Sequence, residues 1–399
     1  MSYKFILLLF LNLLEIIYPQ NKFSIQLVEE KQRNGTYIRP VVSENGYLYL
    51  VTGEDDETNV KRHRYIVVYD TNTASFVKSL TYESDFGFWR GEPYLIGDNS
   101  QYLFITTYLE PLDAEFYSSY EFLRISDQKT TQRVDYSVHG YRRAFKKIGS
   151  YYYHIYLNQN KELGYWYLEI SKMRIINQNN FISFEKVNTS KEAKIKYQAM
   201  ISCDVTKDNN YILCAYHSQE LNIVVTAYDT SLNLLLTKTF EKTGYYDSGN
   251  LIKILYLKDN TNFILINSQY ETVIRLRYFS YINNQIKDKL CPITKNSETY
   301  LDISGTQIWG VNSENDVMAY ENNKVIKVFG NAGSDNLIIT IIQFYDNDSK
   351  MTIKIYDMVN GNGFLYMCQP RIAMLKNSFV VCLSASKNDG HRPGYFMII

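Results

Sequence analysis

The sequence predicts an all-β protein built from repeated four-stranded units. Three observations support this prediction: a composition typical of strands, a strand-and-turn pattern that recurs along the chain, and two chain ends that complement each other. The chain contains 37 tyrosines and 20 phenylalanines, beside many Ile, Val, Thr and Asn, which favour strands and turns. With 399 residues, of which 45% are hydrophobic, it can bury a large core.

The charge composition argues against one broad class of function. The chain carries 42 Lys and Arg against 42 Asp and Glu, so its formal net charge is zero. Proteins that bind nucleic acids usually present a strong positive field. We therefore expect no nucleic-acid partner.

The same pattern of four strands and intervening turns can be traced seven times. The end of the third strand marks it best, in Ile66–Thr73, Val224–Ser231 and Ile341–Asp348, with degenerate copies at Phe122–Lys129, Tyr167–Lys172 and Leu276–Asn284. From Asp70 to Asp346 the marker recurs at a mean spacing of about 55 residues. The predicted units are 41–83, 92–138, 143–187, 197–241, 249–291, 300–359 and 370–399, the last completed by residues 22–30.

The chain ends carry one missing strand and one surplus strand. The last unit breaks off after its third strand, Gly394–Ile399, whereas Lys22–Glu29 is a strand without a unit of its own. Pairing the two would bury two sheet edges and close a ring. Within the N-terminal strand, alternation places Phe23, Ile25 and Leu27 on one face.

This pattern resembles the β-propeller superfold over nearly the whole chain. The resemblance implies a seven-bladed β-propeller closed by the N-terminal strand. Six blades with an insertion around residues 290–335, and two stacked β-sandwich domains, are the alternatives. The chain lacks the signature motifs of the WD40, kelch and sialidase families, so the resemblance implies no catalytic residues.

The first 20 residues resemble a secretory signal peptide. Lys4 precedes the apolar run Phe5–Leu14, which is shorter than the roughly 20 residues that cross a bilayer. We therefore expect residues 1–20 to be a signal peptide and residues 21–399 to form a single secreted or cell-surface domain without a membrane span. A buried N-terminal strand or helix, or an uncleaved anchor, is the alternative.

The five cysteines predict one disulfide bond. A turn centred on Asp208 and Asn209 would place Cys203 and Cys214 opposite each other in a hairpin. Cys368 and Cys382 flank a less symmetrical turn, so either a bridge or buried thiols would fit them, and Cys291 is the odd cysteine. No Cys/His cluster has zinc spacing.

Three sequons agree with export. They begin at Asn34, Asn188 and Asn347, in polar contexts typical of turns, where a glycan would be accessible.

The sequence shows no local motif for catalysis or cofactor binding. The five histidines, His63, His139, His154, His217 and His391, are scattered over different units. The acidic stretches Gly53–Thr58 and Asp346–Asp348 could bind calcium, but they lack the ligand ladder of an EF-hand, so solvated loops are the favoured interpretation. We expect no other cofactor.

Two functions fit these observations. The first is a binding module that presents its loops to a protein or glycan partner outside the cell. The alternative is a propeller-type hydrolase or lyase that acts on a carbohydrate or a lactone at the central channel. The absence of a local catalytic motif favours the binding module over an enzyme.

Overall fold

The computed structural model describes the strands and many of the turns of the chain. The described residues are 26–28, 39–43, 45–53, 62–73, 75–84, 93–97, 101–109, 117–127, 129, 134–136, 143–160, 165–178, 181–195, 201–206, 208, 210–218, 220, 222–240, 251–257, 261–270, 273–289, 298–302, 308–309, 317–320, 324–331, 336–344, 349–357, 364–375, 378–387 and 394–398. Within them every element is a β-strand. Accordingly, this part of the chain contains no helix that could cross a membrane. The all-β prediction is confirmed.

The described strands form seven antiparallel sheets. The first strand, β1 (Gln26–Val28), belongs to the last of these sheets. Sheet 1 contains β2 (Arg39–Val42), β3 (Tyr47–Gly53), β4 (Arg62–Asp70) and β5 (Ser75–Ser84). Sheet 2 contains β6 (Pro93–Ile96), β7 (Tyr102–Leu109), β8 (Tyr117–Arg124) and β9 (Val134–Tyr136). Sheet 3 contains β10 (Arg143–Ile148), β11 (Tyr151–Asn160), β12 (Tyr165–Gln178) and β13 (Phe181–Ile195).

The remaining sheets follow the same plan with local changes. Sheet 4 contains β14 (Ile201–Val205), β15 (Tyr211–His217), β16 (Ile223–Asp229) and β17 (Leu234–Phe240). Sheet 5 contains β18 (Leu251–Tyr256), β19 (Asn262–Tyr270), β20 (Val273–Ile282), β21 (Gln285–Lys289) and β22 (Glu298–Asp302). Sheet 6 contains β23 (Ile308–Trp309), β24 (Val317–Tyr320), β25 (Lys324–Asn331), β26 (Asn336–Phe344) and β27 (Ser349–Asp357). Sheet 7 contains β28 (Phe364–Met374), β29 (Phe379–Lys387), β30 (Gly394–Ile398) and β1.

Neighbouring sheets pack against one another in chain order. Strand β2 lies against β6, β10 against β14, β14 against β18, β18 against β24, and β25 against β28. An apolar cluster joins sheets 2 and 3, and β28 lies against β2. The sheets are therefore the blades of a β-propeller, as the sequence resemblance implies.

Blade 7 is built from both ends of the chain. Strand β1 pairs antiparallel with β30, with Gln26 opposite Phe396, Leu27 opposite Tyr395 and Val28 opposite Gly394. The fourth strand of this sheet thus comes from the N-terminal segment, while residues 22–25 lie outside the described part of the chain.

The region around residues 290–335, where the sequence allows an insertion, contains parts of two interrupted strands. Both β21 and β22 pair antiparallel with β20, along successive halves of that strand. Both β23 and β24 pair antiparallel with β25. The outermost strand of blade 5 and the innermost strand of blade 6 are therefore each formed by two segments, which obscures the four-strand pattern in the sequence.

The aspartate of the repeat marker forms the turn after the third strand. In blade 4, Asp229 Oδ1 accepts hydrogen bonds from the backbone N–H groups of Ser231 and Asn233, both at 2.8 Å. In blade 1, Asp70 Oδ1 accepts one from Asn72 N at 2.8 Å. Such side-chain bonds to the following backbone stabilise a turn.

Blade 3 departs from the predicted boundaries because its marker lacks this aspartate. The sequence predicts that its third strand ends at Lys172, and this prediction is wrong: β12 continues to Gln178. Its partner β13 correspondingly reaches Ile195, beyond the predicted limit of the unit at residue 187. The two strands form a long hairpin. Beyond the end of β11, β12 pairs with β13 alone.

Candidate functional site

The candidate site lies on one face of β12 in blade 3. Side chains alternate between the two faces of a strand. Trp166, Leu168 and Ile170 belong to the apolar cluster shared with blade 4. Glu169 and Ser171 point the opposite way and are buried, with 3% and 2% of their surface exposed. This second face is directed to blade 2, and we call the contact between the two blades the blade 2–3 seam.

Aromatic rings fill the part of the seam next to the long hairpin. Phe184 of β13 packs against Phe122 of blade 2, Phe145 and Tyr152, with ring centroids 5.1, 5.8 and 5.5 Å apart. Met173 and Ile182 belong to the same cluster and are buried. The extension of β12 and β13 therefore fixes blade 3 to blade 2 and determines where the polar part of the seam begins.

Glu169 is the centre of the polar part. Its Oε1 accepts hydrogen bonds from Tyr156 Oη at 2.5 Å and from Lys186 Nζ at 3.0 Å. Its Oε2 accepts one from Asn158 Nδ2 at 2.9 Å and a longer one from Tyr167 Oη at 3.4 Å. These five residues are the Glu169 pocket. A buried carboxylate requires such partners because burial of an isolated charge is very unfavourable.

The partners of Glu169 keep it ionised. Burial by itself would raise the pKa of Glu169, but the hydrogen bonds from Tyr156, Asn158 and Lys186 together outweigh burial and lower the pKa below its ordinary value. Burial, followed by the hydrogen bond to Glu169, raises the pKa of Tyr156. At neutral pH the pocket therefore holds a carboxylate and a protonated phenol that donates to it.

Lys186 connects the pocket to the surface. Its side chain is 52% exposed, whereas that of Glu169 is 4% exposed. Strand β13 has a bulge at this point, since Asn188 lies opposite Lys172 and Lys186 lies opposite Met173. Val187, between them, is 47% exposed. The only cation that binds Glu169 in the described part of the chain thus approaches from the outer edge of the blade.

Two further groups border the pocket. Tyr165 lies edge-to-face with Tyr167, at 6.4 Å between ring centroids, and both side chains are partly exposed. On the inner side, His154 lies 4.8 Å from the ring of Tyr156 and is 4% exposed. The pocket therefore combines a carboxylate and the ammonium group of Lys186 with aromatic rings and neutral donors.

The direction of the pKa shift of Glu169 bears on the chemistry that Glu169 can perform. A general acid needs a pKa near the working pH, and the pKa of Glu169 is shifted away from that range. A few polar groups that converge among aromatic side chains are typical of recognition sites. A fixed carboxylate beside tyrosine rings favours a positively charged ligand.

The structure joins Cys203 and Cys214 in a disulfide bond. The two residues lie directly opposite each other on β14 and β15. Cys382 is a buried free thiol, so it forms no bridge with Cys368 of β28. Burial raises the pKa of Cys382 well above its ordinary value, and Cys291 lies outside the described residues.

Asn188 lies in a strand and not in a turn as predicted. It is part of β13 and exposed, and its Nδ2 donates a hydrogen bond of 2.8 Å to the carbonyl oxygen of Ser231. A polar Asn-Thr-Ser segment indicates a turn by composition, but here the bulge of β13 accommodates it within the sheet. Asn34 and Asn347 lie outside the described residues.

The histidines and acidic loops do not form a joint site in the described residues. His63 lies in β4, whereas His154 and His217 are buried in different blades. His139, His391 and the acidic segments 54–58 and 346–348 lie outside the described part. Within that part no group of three or more His, Cys, Asp or Glu residues could hold a metal ion.

Sequence reasoning missed Glu169 although a signal was present. In the run from Tyr165 to Ile170, Glu169 is a charged residue on a strand whose other face carries the apolar side chains of Trp166, Leu168 and Ile170. A charge at such a position is unfavourable unless it is paired. Its partners come from β11 and from β13, at separations that local spacing does not indicate.

Comparisons with known proteins find similar chains among the solved structures. No protein-family model matches the chain, and no curated protein matches it. A prolyl endopeptidase structure matches with a TM-score of 0.45 and 10% identity over 89% of this chain, which spans about half (47%) of that enzyme. The β-propeller domain of the Trilobed protease from Pyrococcus furiosus gives a TM-score of 0.48 and 8% identity over 90% of this chain and 93% of that domain. The WD40 domain of SCAP from fission yeast gives 0.44 and 9% over 95% of this chain and 98% of that chain.

Proposed function

We propose that this protein is a binding module that recognises a protein partner through the Glu169 pocket of blade 3. One observation carries the proposal: a buried, ionised carboxylate is surrounded by tyrosines and reaches the surface through a half-exposed lysine. Folding alone gains little from a buried charge, since apolar side chains of similar volume often stabilise as well or better. Recognition of a charged group is a function for which such a charge is needed.

The proposal favours a protein over a glycan as the partner. A ligand that binds the carboxylate of Glu169 takes the place of Lys186, so the carboxylate selects for positively charged groups. Lysine and arginine side chains supply such groups on protein surfaces. A glycan partner remains an outcome that the experiment below can report.

Binding arrays test this function directly. The purified protein is applied to an array of extracellular proteins and to a glycan array, with Glu169→Gln and Arg174→Ala variants in parallel. Arg174 forms an exposed ion pair with Glu185 on the same hairpin, so its loss is a matched control. We expect protein ligands whose affinity falls at least tenfold in Glu169→Gln and is unchanged in Arg174→Ala. The proposal would be contradicted if the ligands bind both variants with wild-type affinity, or if all the ligands are glycans.

We propose an extracellular location for the same module. The apolar segment Phe5–Leu14, the sequons and the Cys203–Cys214 disulfide support it, because disulfide bonds persist mainly in oxidising compartments. Amino-terminal sequencing of the protein from the medium of an expressing eukaryotic cell should give a chain that begins near residue 21. A chain that begins at Met1 and stays inside the cell would contradict this location.

A further inference from the structure

We infer that the Glu169 pocket binds a primary ammonium group, and that Lys186 is its built-in occupant, which the ammonium group of a ligand replaces. This inference rests on the proposed binding function and specifies the chemistry of the ligand. In a protein partner the group is the side chain of a lysine.

The charge of Glu169 is balanced by Lys186. Tyr156, Asn158 and Tyr167 are neutral donors, so Lys186 supplies the one positive charge among the described partners of Glu169. When the side chain of Lys186 moves away, a carboxylate that is 4% exposed stays behind without a counter-charge. Removal of one partner from a buried ion pair is strongly unfavourable. The vacated position therefore favours another cation.

Another cation can replace Lys186 beside Glu169. Its side chain is 52% exposed and extends from a bulge on the outermost strand of the blade. Water can solvate the ammonium group of Lys186 when it leaves, whereas the carboxylate that it leaves stays buried. The pocket thus combines a carboxylate that needs a cation with an occupant for which another cation can exchange.

The surroundings of Glu169 suit an ammonium group better than a guanidinium group or a divalent metal. An arginine binds carboxylates best through two parallel hydrogen bonds to both oxygens. Here Oε1 already accepts from Tyr156, and Oε2 accepts from Asn158. A divalent metal usually needs several charged oxygen ligands, and no such group occurs in the described residues. An ammonium group is a compact charge that needs one acceptor position, and Lys186 occupies such a position at Oε1.

Chemical rescue of a Lys186 variant tests the inference. Lys186→Ala removes the occupant, and propylammonium chloride is then added as the probe while thermal unfolding is followed. We expect a lower Tm for Lys186→Ala than for the wild type and a saturable rise of several degrees with propylammonium. The wild type should respond at higher propylammonium concentrations than Lys186→Ala, because its own Lys186 competes for the site, and Arg174→Ala should respond as the wild type does.

A double variant shows whether Glu169 is the binding group. In Lys186→Ala with Glu169→Gln, the rescue by propylammonium should disappear. Lys186→Met, which keeps the apolar part of the side chain, serves if the alanine variant does not fold. The inference is overturned if propylammonium acts no better than sodium chloride on the single variants, or if it acts equally on the double variant.

The two proposals can fail separately. Rescue without any Glu169-dependent partner on the arrays would support an ammonium site and contradict the proposed binding function. A Glu169-dependent partner without rescue would support the binding function and overturn the ammonium site.

Discussion

The two faces of blade 3 are made by the same strands but have opposite chemical character. Towards blade 4, β12 presents Trp166, Leu168 and Ile170 to a continuous apolar cluster that includes Cys203 and Cys214. Towards blade 2, the intervening residues Glu169 and Ser171 are equally buried but polar. Burial alone therefore does not distinguish the two faces, and the difference lies in what each face contributes to stability.

The apolar face contributes more to the stability of the fold than the polar face does. Each fully buried aliphatic side chain contributes about 1.5–3 kcal/mol. A buried ion pair contributes little net free energy, because desolvation offsets most of the attraction. The effects of substitutions on the two faces should therefore differ in size.

Truncation on the apolar face should have the largest effect. Ile170 is completely buried, and Ile170→Ala would leave a cavity between blades 3 and 4. We expect a loss of about 2–5 kcal/mol in the free energy of unfolding, measured by urea denaturation. Ser171→Ala, its neighbour on the polar face, is the control and should cost less than about 1.5 kcal/mol. Equal losses would contradict the division between the faces.

Removal of the disulfide bond should rank second. It joins β14 and β15 within the same apolar cluster and closes a short loop, with a sequence separation of 11. Substitution of both Cys203 and Cys214 by alanine should lower the free energy of unfolding by about 2–3 kcal/mol. Thiol counting on the unreduced, denatured wild type should detect neither residue. Two reactive thiols at these positions would show that the bond does not form in solution.

Neutralisation of the polar face should have a smaller effect. Glu169→Gln keeps an acceptor for Tyr156 but removes the charge that binds Lys186. Hydrogen bonds to charged groups contribute about 1.5–3 kcal/mol, and the lower desolvation of the amide offsets part of the loss. We expect a loss of about 1–2 kcal/mol by denaturant titration, well below that of Ile170→Ala. A larger loss than Ile170→Ala would mean that the polar face is the main source of stability.

The sequence predicted the architecture better than the site, for a physical reason. Strand alternation, turn residues such as Asp229 and the hairpin around Asp208 are local features, so they reveal the blades and the position of Cys203 opposite Cys214. The Glu169 pocket depends on side chains from three strands. The sequence also predicts the wrong end for β12, because the absence of a turn aspartate is a weaker signal than its presence.

The pH dependence of stability should show the smallest effect and the sharpest contrast between the faces. The pKa of Glu169 is lower in the folded protein than its ordinary value, which is about 4.3 for glutamate. At a pH between the pKa of Glu169 in the folded protein and that in the unfolded chain, Glu169 is protonated in the unfolded chain but not in the folded protein. A fall in pH therefore favours unfolding. The contribution of Glu169 is therefore complete above about pH 5 and is lost as the pH falls through the folded pKa. The difference in free energy of unfolding between wild type and Glu169→Gln should be constant from pH 5 to 7 and shrink below pH 4, whereas that between wild type and Ile170→Ala should not change with pH. A Glu169→Gln difference that grows on acidification would mean that Glu169 is protonated in the folded protein, and the pocket would then lack the charge on which its binding role depends.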